Sequence, residues 1–199
     1  MSVPSPLAGA RLSDLSLISG GGPERPAGRR AHAGGGRRGR RSLPAEALAV
    51  IATGLARTTP NAGHAWTEGT GRRYARLLET ALYDTWLIAW SPSSRLELHD
   101  HGGSVGVVSV VSGWLVETST DLRQPGPLHA RVVLAGDTIT IAATGVHGVS
   151  NPGPADALSV HVYSPPLRAM TFFDHRPVSF LHPLSTITSD LAVLEEAAT

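Results

Sequence analysis

Leu98-His99-Asp100-His101-Gly102-Gly103-Ser104 stands between two apolar runs, and the reading of its two histidines decides how the rest of the chain is understood. Side chains alternate along an extended segment, so His99 and His101, two apart, are expected on one face. Imidazole is the commonest side-chain metal ligand, which makes the pair half of a metal site. The other reading is a polar surface turn. What lies on either side chooses between them.

The 199 residues suffice for one domain with a real core, with or without a tail. No apolar stretch is long enough to span a bilayer, and the N-terminus lacks a charged-then-apolar signal pattern. There is no cysteine, so disulfides, thiolate zinc sites and cysteine nucleophiles are excluded, and a cytoplasmic location is expected. The formal net charge of +1 hides an asymmetry. Residues 1–43 carry eight of the seventeen arginines and two of the sixteen acids, leaving nine arginines against fourteen acids downstream. That mildly acidic body argues against nucleic-acid binding by the folded part.

Residues 1–43 are rich in Gly, Pro, Ser and Arg, with Gly20-Gly21-Gly22 and Gly34-Gly35-Gly36 and no sustained periodicity. Such a composition cannot bury enough apolar surface to offset the entropy of ordering, so a disordered tail is expected, followed by one domain over 44–199. The run Arg37-Arg38-Gly39-Arg40-Arg41 is read as solvated rather than as an RNA contact. Order is expected from Ser42-Leu43-Pro44: Ser42 can cap, Pro44 suits a first turn, and Leu48, Ile51 and Leu55 recur at helical spacing up to Pro60. Arg72–Leu78 reads as a strand with Tyr74, Arg76 and Leu78 on one face, Arg72 and Arg73 being surface cations.

From there the pattern is strand and turn. Short β-branched or aromatic runs at Asp84–Trp90, Val105–Val111, Trp114–Ser119, Ala130–Leu134, Asp137–Ile141, Val146–Val149, Ala157–Tyr163 and Met170–Phe173 are punctuated by Gly and Pro. Eight such strands imply an all-β antiparallel sandwich or barrel of jelly-roll type. A closing helix is expected over Ser189–Ala197. Within Ser159-Val160-His161-Val162-Tyr163, alternation places Ser159, His161 and Tyr163 on one face, as a polar relay toward the barrel interior. The opposite orientation would turn Val160 and Val162 inward. Arg76 inside a barrel is costly unless paired, and its planar fork matches a carboxylate. Ser164-Pro165 could hold a cis bond, although trans is the default.

A third histidine, His147, lies eleven residues after Gly136 and four before Asn151. With His99, His101 and Gly113, this spacing resembles the two motifs of the cupin superfamily, which frame a metal in the mouth of a small jelly-roll barrel. Gly106 stands where the first motif usually has Glu, and Ala142 and Thr144 replace the usual Pro and inner Gly of the second. Three neutral imidazoles without a carboxylate leave a divalent iron its full charge and, if it is octahedral, about three open positions. A structural zinc would usually be closed by four protein ligands.

Tyr74-x-Arg76, His99-Asp100-His101, Gly113 to Thr118, His147 with Asn151, and Ser159-x-His161-x-Tyr163-Ser164-Pro165-Pro166 together resemble the cysteine dioxygenase family of thiol dioxygenases, from about Tyr74 to Asp174. The resemblance implies a cupin-type jelly-roll β-barrel with a short N-terminal helix, and a non-haem iron(II) enzyme that converts L-cysteine and O2 to cysteine sulfinic acid. It implies that His99, His101 and His147 hold Fe(2+), and that Arg76, assisted by Tyr74, grips the substrate carboxylate. Tyr163 would point its hydroxyl at the reacting centre, oriented by His161 and Ser159. Animal members carry a cysteine that crosslinks to the active-site tyrosine; here that position is Gly106, as is typical of bacterial members. The partners expected are a small thiol and O2, with no nucleic acid and no membrane, and a monomer. Two rival readings remain. One is a dioxygenase of 3-mercaptopropionate or another small thiol, a branch that typically has Gln at the Arg76 position. The other is a non-catalytic zinc-binding cupin sensor. His32, His64, His129, His175 and His182 fall outside the motifs.

Overall fold

Two strands that are apolar on both faces organise the domain. The computed structural model describes residues 41–59, 67–69, 71–175 and 181–187, all within one unit, Gly39–Thr199. Helix α1 (Ala45–Thr58) is followed by β1 (Thr67–Gly69), β2 (Arg72–Glu79), β3 (Asp84–Trp90), β4 (Arg95–His99), β5 (Val105–Ser112) and β6 (Trp114–Asp121). After them come β7 (His129–Leu134), β8 (Thr138–Ile141), β9 (Gly145–Ser150), β10 (Ala157–Ser164), β11 (Met170–His175) and β12 (Leu181–Ile187). They form two six-stranded sheets, β1-β2-β3-β10-β5-β8 and β12-β11-β4-β9-β6-β7, with antiparallel pairing throughout. This is the all-β, cupin-type jelly roll expected. No described helix is long and apolar enough to cross a membrane.

β3 and β10 lie side by side in the first sheet, and neither shows simple alternation because both of their faces are covered. The inner face joins Trp86, Ile88, Trp90 and Tyr163 to Leu96, Leu115, Val149 and Phe172 of the second sheet in one core. On the outer face Leu87, Val107, Val160 and Val162 pack under Leu48 and Ala52 of α1. Val160 and Val162 therefore face the helix, and Ser159, His161 and Tyr163 face the barrel interior. Strand pairing extends this interior row across the sheet. Tyr74 pairs with Ile88, whose other neighbour is Ser159, and Arg76 pairs with Trp86, whose other neighbour is His161.

Several expectations are corrected. The helix begins with Pro44 at the N-cap in an extended conformation and no side-chain cap. Ser42 lies one turn too early to reach the first helical N–H groups; the entry is anchored instead by Leu43 N–H donating to Ser164 Oγ at 2.8 Å. Leu78 does not share the face of Tyr74 and Arg76. The β2–β3 register slips between Arg76 and Leu78, a β-bulge, and Leu78 is exposed. Arg72 is not a surface cation: it is 5% exposed, with its guanidinium over the Trp90 ring, because position 72 has the inward parity of Tyr74. β1 and β12 are strands where none was expected, and the segment before His99 is a strand that pairs with β9 and β11. The Ser164–Pro165 bond is cis. The tail over 1–43, apart from its last three residues, and the helix over Ser189–Ala197 lie outside the described residues.

Leu48 is completely buried between α1 and the β5–β10 face. Leu48→Ala leaves a cavity in a closed layer, and denaturant unfolding is expected to show a loss of about 2–5 kcal/mol. The metal affinity of the folded protein should be unchanged.

Candidate metal centre

Each of the three histidines is placed by a different element. His99 ends β4, directly opposite His147 on β9 and with Phe172 of β11 on its other side. His101 is not on a strand. It sits in the turn after β4, so its approach to His99 comes from the turn and not from strand alternation. Asp100 builds that turn: its Oδ1 accepts from Gly102 N–H and Thr171 N–H, both at 3.0 Å, while its own N–H donates to Thr171 O. Gly102 there has φ +56, a conformation that favours a residue without Cβ. Asn151, the last position of the second motif, is structural. Its amide donates to Trp90 O and Ala155 O and its carbonyl accepts from Gly153 N–H, tying the end of β9 to the end of β3.

The three imidazoles are about 1% exposed, and one candidate ligand nitrogen from each lies within 4.8 Å of the others. Their hydrogen bonds test whether a cation fits. His99 Nδ1 lies 2.7 Å from Glu97 O, and His147 Nδ1 lies 3.1 Å from Glu117 Oε1. A carbonyl and a carboxylate only accept, so both rings carry their proton on Nδ1 and present a bare Nε2 lone pair to the centre. His147 Nε2 is 3.2 Å from His101 Nε2. Burial, and then the neighbouring His147, hold His99 and His101 well below the ordinary imidazole value, so they are neutral, as metal ligands must be. Converging imidazole nitrogens in a water-excluded site are what a metal ion satisfies.

Glu117, which the sequence reading passed over, is the partner that orients His147. It is 1% exposed, and its second oxygen accepts from Arg131 Nε. Burial alone would push its carboxyl up, but the bonds from His147 and Arg131 hold it below its usual value. Its position could have been found from the strand pattern, since Leu115 and Glu117 share the inward parity of β6.

Beside the histidines runs the polar relay. Trp90 Nε1–H donates to Ser159 Oγ at 2.9 Å, Ser159 Oγ lies 2.9 Å from His161 Nε2, and His161 Nδ1 lies 3.0 Å from the Tyr163 hydroxyl. Indole can only donate, so Ser159 Oγ accepts from it, and the Ser159–His161–Tyr163 bonds run in the direction set by the His161 tautomer. In the tautomer protonated on Nδ1, Ser159 donates to His161 Nε2, His161 donates to the Tyr163 oxygen, and the Tyr163 O–H proton is left for another acceptor. Burial first, then the charges of His147 and Arg72, lower His161 to about 3, and burial with Asp84 pushes Tyr163 up, so neither ionises near neutrality. The Tyr163 ring lies 4.7 Å from the His101 ring. Between them sits Gly106, where an added Cβ would come 3.1 Å from the His101 ring and 3.2 Å from Tyr163 Cε1.

Tyr74 is buried against Trp86, and Arg76 reaches the rim with its guanidinium 5.3 Å from the centre of the Trp86 ring. Arg76 is ion-paired with Glu79 at 2.7 Å. Asp84, also unassigned from sequence, is buried opposite Tyr163 and accepts from Trp86 Nε1 and Leu167 N–H. Its burial raises its carboxyl to about 6, against the lowering by those two donors.

A jelly roll whose interior gathers three buried histidines defines a cupin-type metal-binding protein. A family model described as cysteine dioxygenase type I matches residues 64–176, more than half of the chain, and the chain belongs to that family. Among solved structures it is similar to KdgF from Halomonas sp., at 18% identity over 51% of this chain and 86% of that one, with a TM-score of 0.45. It is similar also to an oxalate oxidase (23% identity, 53% of this chain and 52% of that one, TM-score 0.43). A third is an oxalate decarboxylase from Bacillus subtilis (18% identity, 50% and 27%, TM-score 0.45). The chain thus spans about half of that oxidase and about a quarter of that decarboxylase.

Glu117→Gln keeps the shape of the His147 partner and removes its charge. Loss of such a partner is expected to weaken metal binding about 10- to 100-fold, read by competition with a chromogenic chelator, with the fold retained by circular dichroism.

Proposed function

We propose that this chain is a non-haem iron(II) thiol dioxygenase that converts L-cysteine and O2 to cysteine sulfinic acid. The observation that most supports this reading is a group of three buried histidines that, among the described residues, includes no carboxylate, with the Tyr163 ring packed against His101. His99, His101 and His147 would hold Fe(2+), which when bound would supply the redox chemistry that joins thiolate sulfur to O2. The reaction closes without a further reductant, because both oxygen atoms end on sulfur and the thiolate supplies all four electrons.

The chain's own residues bind, orient and protonate. Arg76, with Tyr74 two residues before it on the same strand, grips the substrate carboxylate, and the register that sets Arg76 and His161 on either side of Trp86 brings that grip level with the relay. Fixing the substrate by its far end converts much of binding into orientation. Tyr163 donates its hydroxyl hydrogen to negative charge that develops on oxygen, a preorganised stabilisation in a dry site. His161, Ser159 and Trp90 are positioning residues that keep that hydrogen aimed.

The test is anaerobic loading with Fe(2+), followed by O2 uptake and mass analysis with cysteine and with 3-mercaptopropionate. Cysteine-dependent uptake and a product heavier by two oxygen atoms are expected. Preferential turnover of 3-mercaptopropionate would reassign the substrate. Protein that retains zinc and shows no thiol-dependent uptake after iron loading would overturn the enzyme reading. Trp90→Phe keeps an aromatic ring, though a smaller one, and removes the indole donor to Ser159. It is expected to lower kcat about five- to tenfold, the worth of one hydrogen bond, with little change in KM.

A further inference from the structure

The rim beside Trp86 carries a charge cluster that this reading leaves unused. In a regular strand, residues three apart face opposite sides. The bulge at Leu77 inserts one residue, so that Arg76 pairs with Trp86, Leu78 with Thr85 and Glu79 with Asp84. Glu79 is thereby turned to the inward side shared by Arg76, Trp86 and Asp84. Its carboxylate is divided between two guanidinium groups. Oε2 accepts from Arg76 Nη1 at 2.7 Å, and Oε1 accepts from Arg168 Nη2 at 2.8 Å.

A guanidinium recognises a carboxylate through a planar fork of N–H donors, and a donor already bonded to one carboxylate is withheld from another. We propose that Glu79 is a specificity-determining residue: it occupies Arg76 in place of a substrate carboxylate, so a carboxylate-bearing thiol binds by exchange while a thiol without one meets no competitor. The inference rests on the assignment of Arg76 as the carboxylate grip. Arg168 makes the exchange feasible, because Glu79 displaced from Arg76 keeps a cationic partner and is not left uncompensated. The wild-type protein therefore prefers cysteine over cysteamine, which differs from it only in lacking the carboxylate, by less than Arg76 alone would give.

The experiment is anaerobic calorimetry of both thiols on the Fe(2+)-loaded protein, with O2 uptake run in parallel. Wild type, Glu79→Gln, Arg76→Gln and the double variant are compared. Glu79→Gln is expected to tighten cysteine binding about two- to fivefold, the size expected of ion pairs one-third exposed to water, and to leave cysteamine unchanged. The gain should vanish in the Arg76→Gln background. An unchanged cysteine affinity would overturn the proposal. So would an equal gain for cysteamine, or a gain that persists without Arg76, which would mark a general charge effect. Binding with this pattern but without O2 uptake would uphold Glu79 and sink the dioxygenase reading. Failure of wild type to bind either thiol would overturn both.

Discussion

Two hydrogen bonds that point away from the metal decide what the site can be. Glu97 O and the Glu117 carboxylate take the Nδ1 protons of His99 and His147, and neither acceptor can return a proton. Every other property of the centre follows from that. Burial disfavours the cation on His99, the ring nitrogens of the three histidines converge, and a metal ion held among them would satisfy those nitrogens. Glu117 would then place its negative charge behind His147, steadying that ring without itself holding the metal.

The second constraint is the double burial of β3 and β10. A strand covered on both faces cannot slip by one residue without exchanging the helix-facing valines for the relay. The packing of Val160 and Val162 against α1 therefore fixes the inward direction of Ser159, His161 and Tyr163. The same register carries across β2, so that the places of Arg76 and of the relay ending at Tyr163 are set by the same run of backbone ladders. A helix that touches no substrate is in this way part of how the site is aligned.

Much of this was legible in the sequence, because it depends on period-two alternation and motif spacing. Most of the inner strands, the three histidines and the relay could be read that way. What could not be read depends on where alternation breaks. The bulge at Leu77 leaves no mark in residue order, since Arg76-Leu77-Leu78-Glu79 is compatible with a regular strand, and so Leu78 was expected where Glu79 is found. His101 belongs to a turn shaped by Asp100, a side chain that bonds backbone distant in sequence. Arg72 could have been placed by the parity that placed Tyr74. It was instead read as a surface cation, as arginine usually is, and its place over Trp90 needed the three-dimensional neighbour. β12 lies near the chain end, where its ladder with β11 defines it more than its own pattern does.

Gly106 separates two ways of holding the tyrosine beside the histidines. Here the ring is kept in place by the flat side of a backbone, by the neighbouring imidazole and by a chain of four hydrogen-bonded side chains. A side chain at 106 would reach His101 and Tyr163 at the same moment, within distances that packed atoms seldom tolerate. Covalent anchoring of the tyrosine from this position would therefore first require the metal ligand or the tyrosine ring to give way. Non-covalent anchoring thus suits the packing as it stands, and a side chain at 106 would be admitted by shifts of a few tenths of an ångström in the imidazole or the tyrosine ring.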